Sequence, residues 1–313
     1  MERTHEKYQR LLARCKTLPP VPCAVAHPCD ETSLRGLIEA AQEGLIRPVL
    51  VGPEKRIRAL AAEFKLDLAD YPIVDTPHSE ASAEAAVSLA REGKAEALMK
   101  GSLHTDELMS AVVKRETGLR TARRISHCFV MDVPALQQPL IVTDAAVNIA
   151  PTLQDKVHIV QNAIDLAHVL GRELPKVAIL SAMETVNPAV LSTIEAAALC
   201  KMADRGQITG GILDGPLAFD NAINLAAAKI KHIESDVAGQ ADILVVPDLE
   251  AGNMLAKSLT YMANADAAGI VLGARVPIIL TSRADSVLAR LASCGVAKLM
   301  AHARRAQAQK AVS

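Results

Sequence analysis

Aromatic residues are scarce in this chain of 313 residues, which has no Trp, 3 Tyr and 3 Phe. Proteins that bind single-stranded nucleic acid stack bases on aromatic side chains, and few are available here. Lys and Arg number 34 against 35 Asp and Glu, so the formal net charge of −1 gives no excess that would attract a polyanion. We therefore expect no nucleic acid among its partners.

Metal-binding cysteine motifs are also missing. The six cysteines include no C-x-x-C pair, and the closest two are Cys23 and Cys29, so zinc or iron–sulfur ligation has no support. The nine His residues are scattered, and no Asp, Glu or His spacing predicts a metal site. Disulfide frameworks belong mainly to much smaller secreted domains. We expect free thiols and no metal.

Targeting segments and common nucleotide motifs are absent too. The charged N-terminus has no apolar core of a secretory signal, and no apolar run approaches the ~20 residues of a membrane span. We therefore expect a cytoplasmic protein with no membrane partner. The chain also lacks G-x-x-x-x-G-K-[ST], G-x-G-x-x-G, G-x-S-x-G and H-E-x-x-H.

Short apolar runs alternate with longer segments of helical periodicity almost throughout the chain. Most runs are continuously apolar, as in parallel strands covered on both faces, and the alternation predicts an α/β fold. The predicted strands cover residues 23–27, 48–52, 72–75, 96–100, 128–133, 140–144, 177–182, 210–215, 241–247, 269–273 and 276–282.

One pair of predicted strands breaks this rhythm. Only residues 134–139 join the strands at 128–133 and 140–144, which is too short for a crossover helix. We therefore predict an antiparallel hairpin. A hairpin inside a parallel protein often marks a domain junction, so we place a domain boundary near residue 130.

Polar residues follow five of the predicted strands, where ligands bind in open α/β sheets. The five stretches are MKGSLHT, ILSAMETVNP, ILDGPLAFDNA, ADILVVPDLEAGNMLAKSL and VPIILTSRADS. In the last one, Ser282, Arg283 and a helix N-terminus suit a phosphoryl group, which accepts many hydrogen bonds and attracts positive charge.

Ordinary local structure offers an alternative explanation for several of these stretches. Thr105 and Asn187 could be N-caps, with Pro188 in the first turn of a helix, and the sequence after the strand at 210–215 could be a turn followed by a cap. Gly252 and Asn253 are poor helix formers in a predicted first turn, which favours contact with a ligand there.

The five stretches, in this order, resemble the phosphotransacylase family of phosphate acetyltransferases and phosphate butyryltransferases. The resemblance covers nearly the whole chain from residue 48, and SAMETVNP and LTSRADS are more similar to the butyryltransferase branch. It implies the reaction acyl phosphate + CoA ⇌ acyl-CoA + phosphate with a short acyl chain, no cofactor besides CoA as co-substrate, and a homodimer. It also implies two doubly wound α/β domains around a cleft, similar to isocitrate and isopropylmalate dehydrogenases, comprising residues 1–130 plus 275–313 and residues 131–274.

The resemblance also assigns roles to residues. It implies that Ser282 stabilises the transition state and that Arg283 binds phosphate. The acetyltransferases carry an Asp seven residues after that Ser, read as the base for the thiol, where this chain has Ala289. Asp285, His104 and Asp214 are the alternative bases, and we take Asp285 as the catalytic candidate beside Ser282. The implied substrate-binding residues are Arg283, Lys100, Gly101, His104, Thr105, Thr185, Asn187, Asp214, Gly215 and Asn253.

Two other functions remain open on the sequence alone. A nicotinamide-dependent decarboxylating dehydrogenase could have the same fold, but it would need a cluster of metal-binding Asp residues that the sequence does not offer. A protein that binds CoA or acyl phosphate without turnover would be consistent with Ala289. An Arg that acetyltransferases carry after the His104 region is also missing, with Met109 nearby, and a less polar pocket there would suit a longer acyl chain.

Overall fold

Strands and helices alternate along the chain in the computed structural model, which describes residues 5–281 and 285–312. The strands are β1 (Val21–Ala26), β2 (Ile46–Gly52), β3 (Ile73–Asp75), β4 (Ala97–Lys100), β5 (Ser126–Asp132), β6 (Leu140–Thr143), β7 (Lys176–Leu180), β8 (Ile212–Leu217), β9 (Ile243–Val245), β10 (Asp266–Leu272) and β11 (Ile278–Ile279). The helices are α1 (Glu6–Lys16), α2 (Glu31–Gln42), α3 (Glu54–Glu63), α4 (Ser79–Arg91), α5 (Thr105–Val112), α6 (Leu153–Val169), α7 (Leu191–Asp204), α8 (Phe219–Ile223), α9 (Leu225–Ile230), α10 (Leu249–Met262) and α11 (Val287–Val312). The predicted α/β class and its strands are confirmed, although β11 is shorter than the predicted 276–282.

The backbone contacts divide the chain into two units. One contains the described residues up to Lys7 together with Arg124–Ala267, and the other contains Tyr8–Arg123 and the described residues from Ala268 onward. Both divisions fall seven residues before the predicted boundaries at 130 and 274. The domain assignment itself stays a prediction.

The unit built from Tyr8–Arg123 and the C-terminal part orders its strands β3-β2-β1-β4-β11-β10. The first five are parallel, whereas β10 is antiparallel to β11. The sequence analysis did not predict this antiparallel pair, which follows from the short link between Leu272 and Ile278, too short for a crossover helix.

The unit of Arg124–Ala267 orders its strands β5-β6-β9-β7-β8. The last four are parallel, and β5 pairs antiparallel with β6, with Cys128 opposite Thr143. The predicted hairpin is therefore confirmed. The buried apolar residues of the core come from both the strands and the helices, and include Met131, Val142, Ala178, Leu217, Ala228 and Leu244.

No helix in the described part of the chain is long and apolar enough to cross a membrane. The six cysteines are free thiols. Five of them are buried, and Cys200 is half-buried.

A carboxylate holds the turn after β6. Asp144 is buried and accepts hydrogen bonds from the backbone N–H groups of Ala146, Val147 and Asn148 and from that of His127 on β5, at 2.9 to 3.2 Å. These N–H donors satisfy the hydrogen-bonding capacity of the buried carboxyl group. This turn fixes the backbone at the carboxyl end of β6.

The His127 side chain is also buried and packs edge-on against Phe129, with ring centroids 4.3 Å apart. Its Nδ1 has no hydrogen-bond partner among the described residues. Burial lowers the pKa of His127 well below its usual 6.5, against the opposing effect of Asp144, because the imidazolium would lose its hydration.

We expect this histidine to make the fold sensitive to acid. At pH 5 the unfolded chain binds a proton on His127 that the folded chain excludes, so stability falls as the pH drops from about 7 to 5, by up to about 2 kcal/mol from this residue. His127→Phe keeps a ring beside Phe129 and should flatten that dependence, measured as urea midpoints at pH 5 and 7. Replacing an exposed histidine, in His232→Asn, should leave the pH dependence of stability as in the wild type. If His127→Phe and the wild type show the same pH dependence, the acid sensitivity does not come from His127.

Candidate active site

Four of the predicted substrate-binding residues lie in the loop after β4 or at its two ends. Lys100 ends β4, and its Nζ donates to the carbonyl oxygens of Gly101 and Leu103, both at 3.1 Å. His104 is exposed and precedes α5, and Thr105 is the first residue of that helix. The structure thus brings these four predicted residues together at the carboxyl end of the sheet.

Gly101 lets the loop lie directly against the end of β1. Its N–H donates to the carbonyl of Ala26 at 2.8 Å. A Cβ at this position would lie 2.4 Å from that oxygen and 2.5 Å from the carbonyl oxygen of His27. Because both obstacles are backbone atoms, only glycine fits where the ends of these two strands approach each other.

The N-cap of α5 differs from the predicted one. Thr105 was considered as the cap, but His104 occupies that position, and its backbone N–H donates to Glu107 Oε2 at 2.8 Å. Ser79 donates to the other carboxylate oxygen of Glu107 at 2.5 Å. These two hydrogen bonds, first that of Ser79, hold the pKa of Glu107 below its usual value.

A buried polar cluster lies at the carboxyl end of β1, which the sequence analysis did not single out. The prediction placed His27 inside the strand, but β1 ends at Ala26 and His27 has a positive φ of 54°. Its Nδ1 lies 3.1 Å from Ser82 Oγ, which lies 2.8 Å from Thr76 Oγ1 and donates to the carbonyl oxygen of His78 at 2.8 Å. The signal that could have found it is the polar sequence His-Pro-Cys-Asp, which separates β1 from α2.

The β4 loop is tied to this cluster by Ser102. Its Oγ donates to the carbonyl of His27 at 2.9 Å and accepts from the N–H of Cys29 at 3.2 Å. Arg56 on α3 donates to the carbonyl of Cys29 at 3.1 Å. Burial raises the pKa of the Cys29 thiol to about 11, so this thiol stays protonated and serves as packing.

The predicted residues after β11 are only partly described. Ser282 and Arg283 lie outside the described residues. Asp285 is half-buried, and its carbonyl oxygen accepts from Arg290 Nη1 at 2.7 Å. Ser286 Oγ accepts from the N–H of Ala289 at 3.1 Å, so Ser286 caps α11.

In the other unit, the loop after β7 contains Thr185 and Asn187. Thr185 is exposed, whereas Asn187 is held on both sides by Thr193, whose Oγ1 accepts from its N–H and donates to its carbonyl, both at 2.9 Å. Helix α7 begins at Leu191, so the alternative in which Asn187 caps it and Pro188 lies in its first turn is ruled out. Asn187 instead closes a turn, with its Oδ1 accepting from the N–H of Ala189.

Asp214 and Gly215 lie within β8, which continues to Leu217, two residues past the predicted end of that strand at Gly215. The register between β7 and β8 shifts, so that Ala178 faces Asp214 but Leu180 faces Leu217. The irregularity lets the strand continue through Gly215, which has no room for a Cβ beside the carbonyl of Ile179. Asp214 Oδ1 accepts from the N–H of Gly215 at 2.8 Å.

Gly252 and Asn253 have packing contacts that explain their place in the first part of α10. Asn253 Nδ2 donates to the carbonyl of Ala145 at 3.4 Å. A Cβ on Gly252 would lie 2.7 Å from Val246 Cγ2 and 2.8 Å from the carbonyl oxygen of Asp144. These contacts bring α10 against the turn after β6; a role of Asn253 in substrate binding stays a prediction.

We expect Gly252→Ala to destabilise the fold by about 1–3 kcal/mol, because the added methyl group meets backbone that cannot move freely. Gly36 in α2 is the matched control, since its Cβ would meet no backbone atom and only the side chain of Arg290, at 3.2 Å. Gly36→Ala should be neutral or stabilising by up to about 1 kcal/mol, from helix propensity. Thermal unfolding of both variants decides, and equal melting temperatures would contradict the tight approach at Gly252.

Comparison with known proteins places these features in a family context. Residues 80–293 match the family model described as phosphate acetyl/butaryl transferase. The chain is 66% identical over 306 residues to a phosphate acetyltransferase of Rhizobium meliloti, covering 98% of this chain and 97% of that protein. It is 41% identical to a phosphate butyryltransferase of Clostridium beijerinckii, covering 95% and 98%.

Solved structures resemble the chain in the same way. A branched-chain phosphotransacylase from Enterococcus faecalis superposes with a TM-score of 0.78 at 31% identity, covering 90% of this chain and 99% of that one. A 4-hydroxythreonine-4-phosphate dehydrogenase from Salmonella typhimurium superposes with a TM-score of 0.58 at 14% identity, over 90% and 99%. The second likeness shows the fold alone and confirms the expected similarity to dehydrogenases.

Proposed function

Because this chain belongs to the phosphate acetyl/butyryl transferase family, we propose that it interconverts acyl phosphate and CoA with acyl-CoA and phosphate. It is a phosphate acyltransferase acting on small-molecule substrates. The observation that carries the reaction is the similarity over nearly the whole chain to proteins named for both phosphate acetyl and phosphate butyryl transfer.

The reaction explains why polar groups gather at strand ends. The CoA sulfur attacks the acyl carbonyl carbon, a tetrahedral oxyanion forms, and the C–O bond to phosphate breaks as the phosphate leaves with the electron pair. Donors are needed where negative charge develops, and holding two substrates in line lowers the entropic part of the barrier. The β4 loop offers a Lys ammonium and the start of α5 to an anionic substrate.

We assign roles to the predicted residues accordingly. Ser282 stabilises the oxyanion and Arg283 holds phosphate, and the substrates bind along Lys100, Gly101, His104 and Thr105. The proposed substrate-binding residues of the other unit are Thr185, Asn187, Asp214, Gly215 and Asn253. Asp285 is the candidate base that the resemblance suggests, and its backbone carbonyl accepts from Arg290 Nη1.

The other two functions are set aside. The similarity to a dehydrogenase is one of fold at 14% identity, whereas the transferases match nearly the full chain at up to 66% identity. Ala289, a buried residue of α11, suggested a CoA-binding protein without turnover. The absence of an Asp at this position, however, requires only that a different residue accept the thiol proton.

We also propose a cytoplasmic homodimer. Support for the dimer comes from α10, where Met254 and Tyr261, seven residues apart on one face, are 63% and 78% exposed, and the neighbouring Met262 is 87% exposed. Large apolar side chains gathered on one exposed helix face indicate a contact surface. Changing Met254 and Tyr261 to Asp should give a monomer by light scattering after size exclusion; an unchanged mass would exclude this face as the contact.

Thioester formation tests the reaction directly. We expect the wild type to form thioester, followed at 233 nm, from CoA and acetyl, propionyl or butyryl phosphate with EDTA present. Ser282→Ala and Arg283→Ala should each reduce kcat by a hundredfold or more, as loss of a transition-state donor does. The rates with the three acyl phosphates rank the acyl chains.

Arg47→Ala, an exposed position on β2, is the control and should keep the wild-type rate. CoA binding without thioester from any of the three acyl phosphates would contradict the transferase function.

A further inference from the structure

We propose that His27 accepts the thiol proton of CoA through its Nε2. It would replace the Asp that the acetyltransferases carry where this chain has Ala289. This inference rests on the proposed transferase function. His27 lies at the carboxyl end of β1, on the same edge of the sheet as the β4 loop, whose Gly101 and Ser102 bond to the end of β1.

The proton on the imidazole ring is located by counting hydrogen bonds at Ser82. A serine hydroxyl has one proton and two acceptor lone pairs. The carbonyl of His78 can only accept, so the Ser82 proton points to it, at 2.8 Å. Ser82 Oγ then accepts from both of its other neighbours, Thr76 Oγ1 and His27 Nδ1.

His27 is therefore the tautomer with its proton on Nδ1 and a lone pair on Nε2. Within residues 5–281 and 285–312, Nε2 has no hydrogen-bond partner, and it is not a fully buried atom. The side chain as a whole is 8% exposed. An oriented imidazole with one nitrogen anchored by an acceptor and the other open is the arrangement of a general base.

The surroundings keep this imidazole neutral. Burial, and next the charge of Arg56 on α3, lower the pKa of His27 below its usual 6.5. Glu107 on α5 and Asp30 before α2 act in the opposite direction, and His78 before α4 acts with Arg56. The Cys29 thiol, two residues along the chain, stays protonated. At neutral pH the lone pair on Nε2 is thus available.

The backbone of the site keeps the ring in place. His27 has a φ of 54°, which costs energy in a residue other than glycine. Its carbonyl oxygen accepts from the N–H and Oγ of Ser102 and from the N–H of Cys29, at 2.8 to 2.9 Å. These hydrogen bonds hold the conformation and couple the ring to the β4 loop.

The step balances as a proton transfer coupled to substitution. The S–H bond of CoA breaks as its proton goes to Nε2, and the sulfur uses the freed electron pair to form the C–S bond. The C–O bond to phosphate breaks, phosphate departs with the electron pair of that bond, and Nε2 returns its proton to water. The CoA thiol has a pKa near that of cysteine, about 8.5, so removing this proton matters most below that pH.

His27→Asn is the sharpest test, because Asn tolerates a positive φ and can still donate to Ser82. Loss of a general base reduces rate by about 10²–10⁴-fold, so we expect kcat at pH 7 to fall at least a hundredfold with KM for CoA unchanged. The loss should shrink about tenfold per pH unit up to about pH 8.5, as the thiol ionises unaided. His232→Asn, the same change at an exposed histidine that also has a φ of 54°, is the control and should stay within threefold of wild type.

The outcomes separate the two proposals. A wild type that forms no thioester overturns the transferase function and this inference with it. An active wild type with His27→Asn above one third of its rate, or with a loss equal at pH 7 and 9, overturns only the role of His27. If His27→Asn does not fold, the pH profile of wild-type kcat/KM decides: an acid limb below pH 6.5 and a plateau above it support the base, and a rise up to about pH 8.5 excludes it.

Discussion

Parallel pairing of neighbouring strands is the constraint on which the site depends. Because β1, β2 and β4 run in the same direction, with Ala24 opposite Val49 and Leu98, their carboxyl ends meet at one edge. Residues separated by 73 positions, such as Cys29 and Ser102, thereby become hydrogen-bonded neighbours. In the other unit the same pairing places the turn at Asp144 beside the start of α10.

Close approach of backbone is the second requirement, and glycine supplies it in both units. Gly101 brings the β4 loop against the end of β1, and Gly252 brings α10 against the turn after β6. In each place a Cβ would meet a carbonyl oxygen at less than 3 Å. Polar groups at these strand ends are then held by short bonds between main chain and side chain, so they need little rearrangement when a substrate binds.

Because this chain has Ala289 where the acetyltransferases carry an Asp, a different residue must accept the thiol proton. A buried alanine inside α11 offers no acceptor, whereas the imidazole at the end of β1 is neutral and oriented. The acyl transfer itself asks the protein mainly for donors and for alignment, so a base on a different strand end is compatible with the same reaction. Membership of the family therefore does not determine which residue is the base in this chain.

The sequence by itself determined the α/β class, the strands, the hairpin and the family, because continuous apolar runs, short connections and five motifs in order are local features. It failed where the outcome depends on neighbours distant in sequence. The end of β8 moved past Gly215 because its register with β7 shifts, and α7 began later because Thr193 takes both backbone groups of Asn187. His27 was predicted as strand, and only tertiary structure made it an oriented imidazole, since Thr76 and Ser82 lie 49 and 55 residues away along the chain. Local pattern fixes which segments become strands; packing between them decides which side chains meet and which protons they hold.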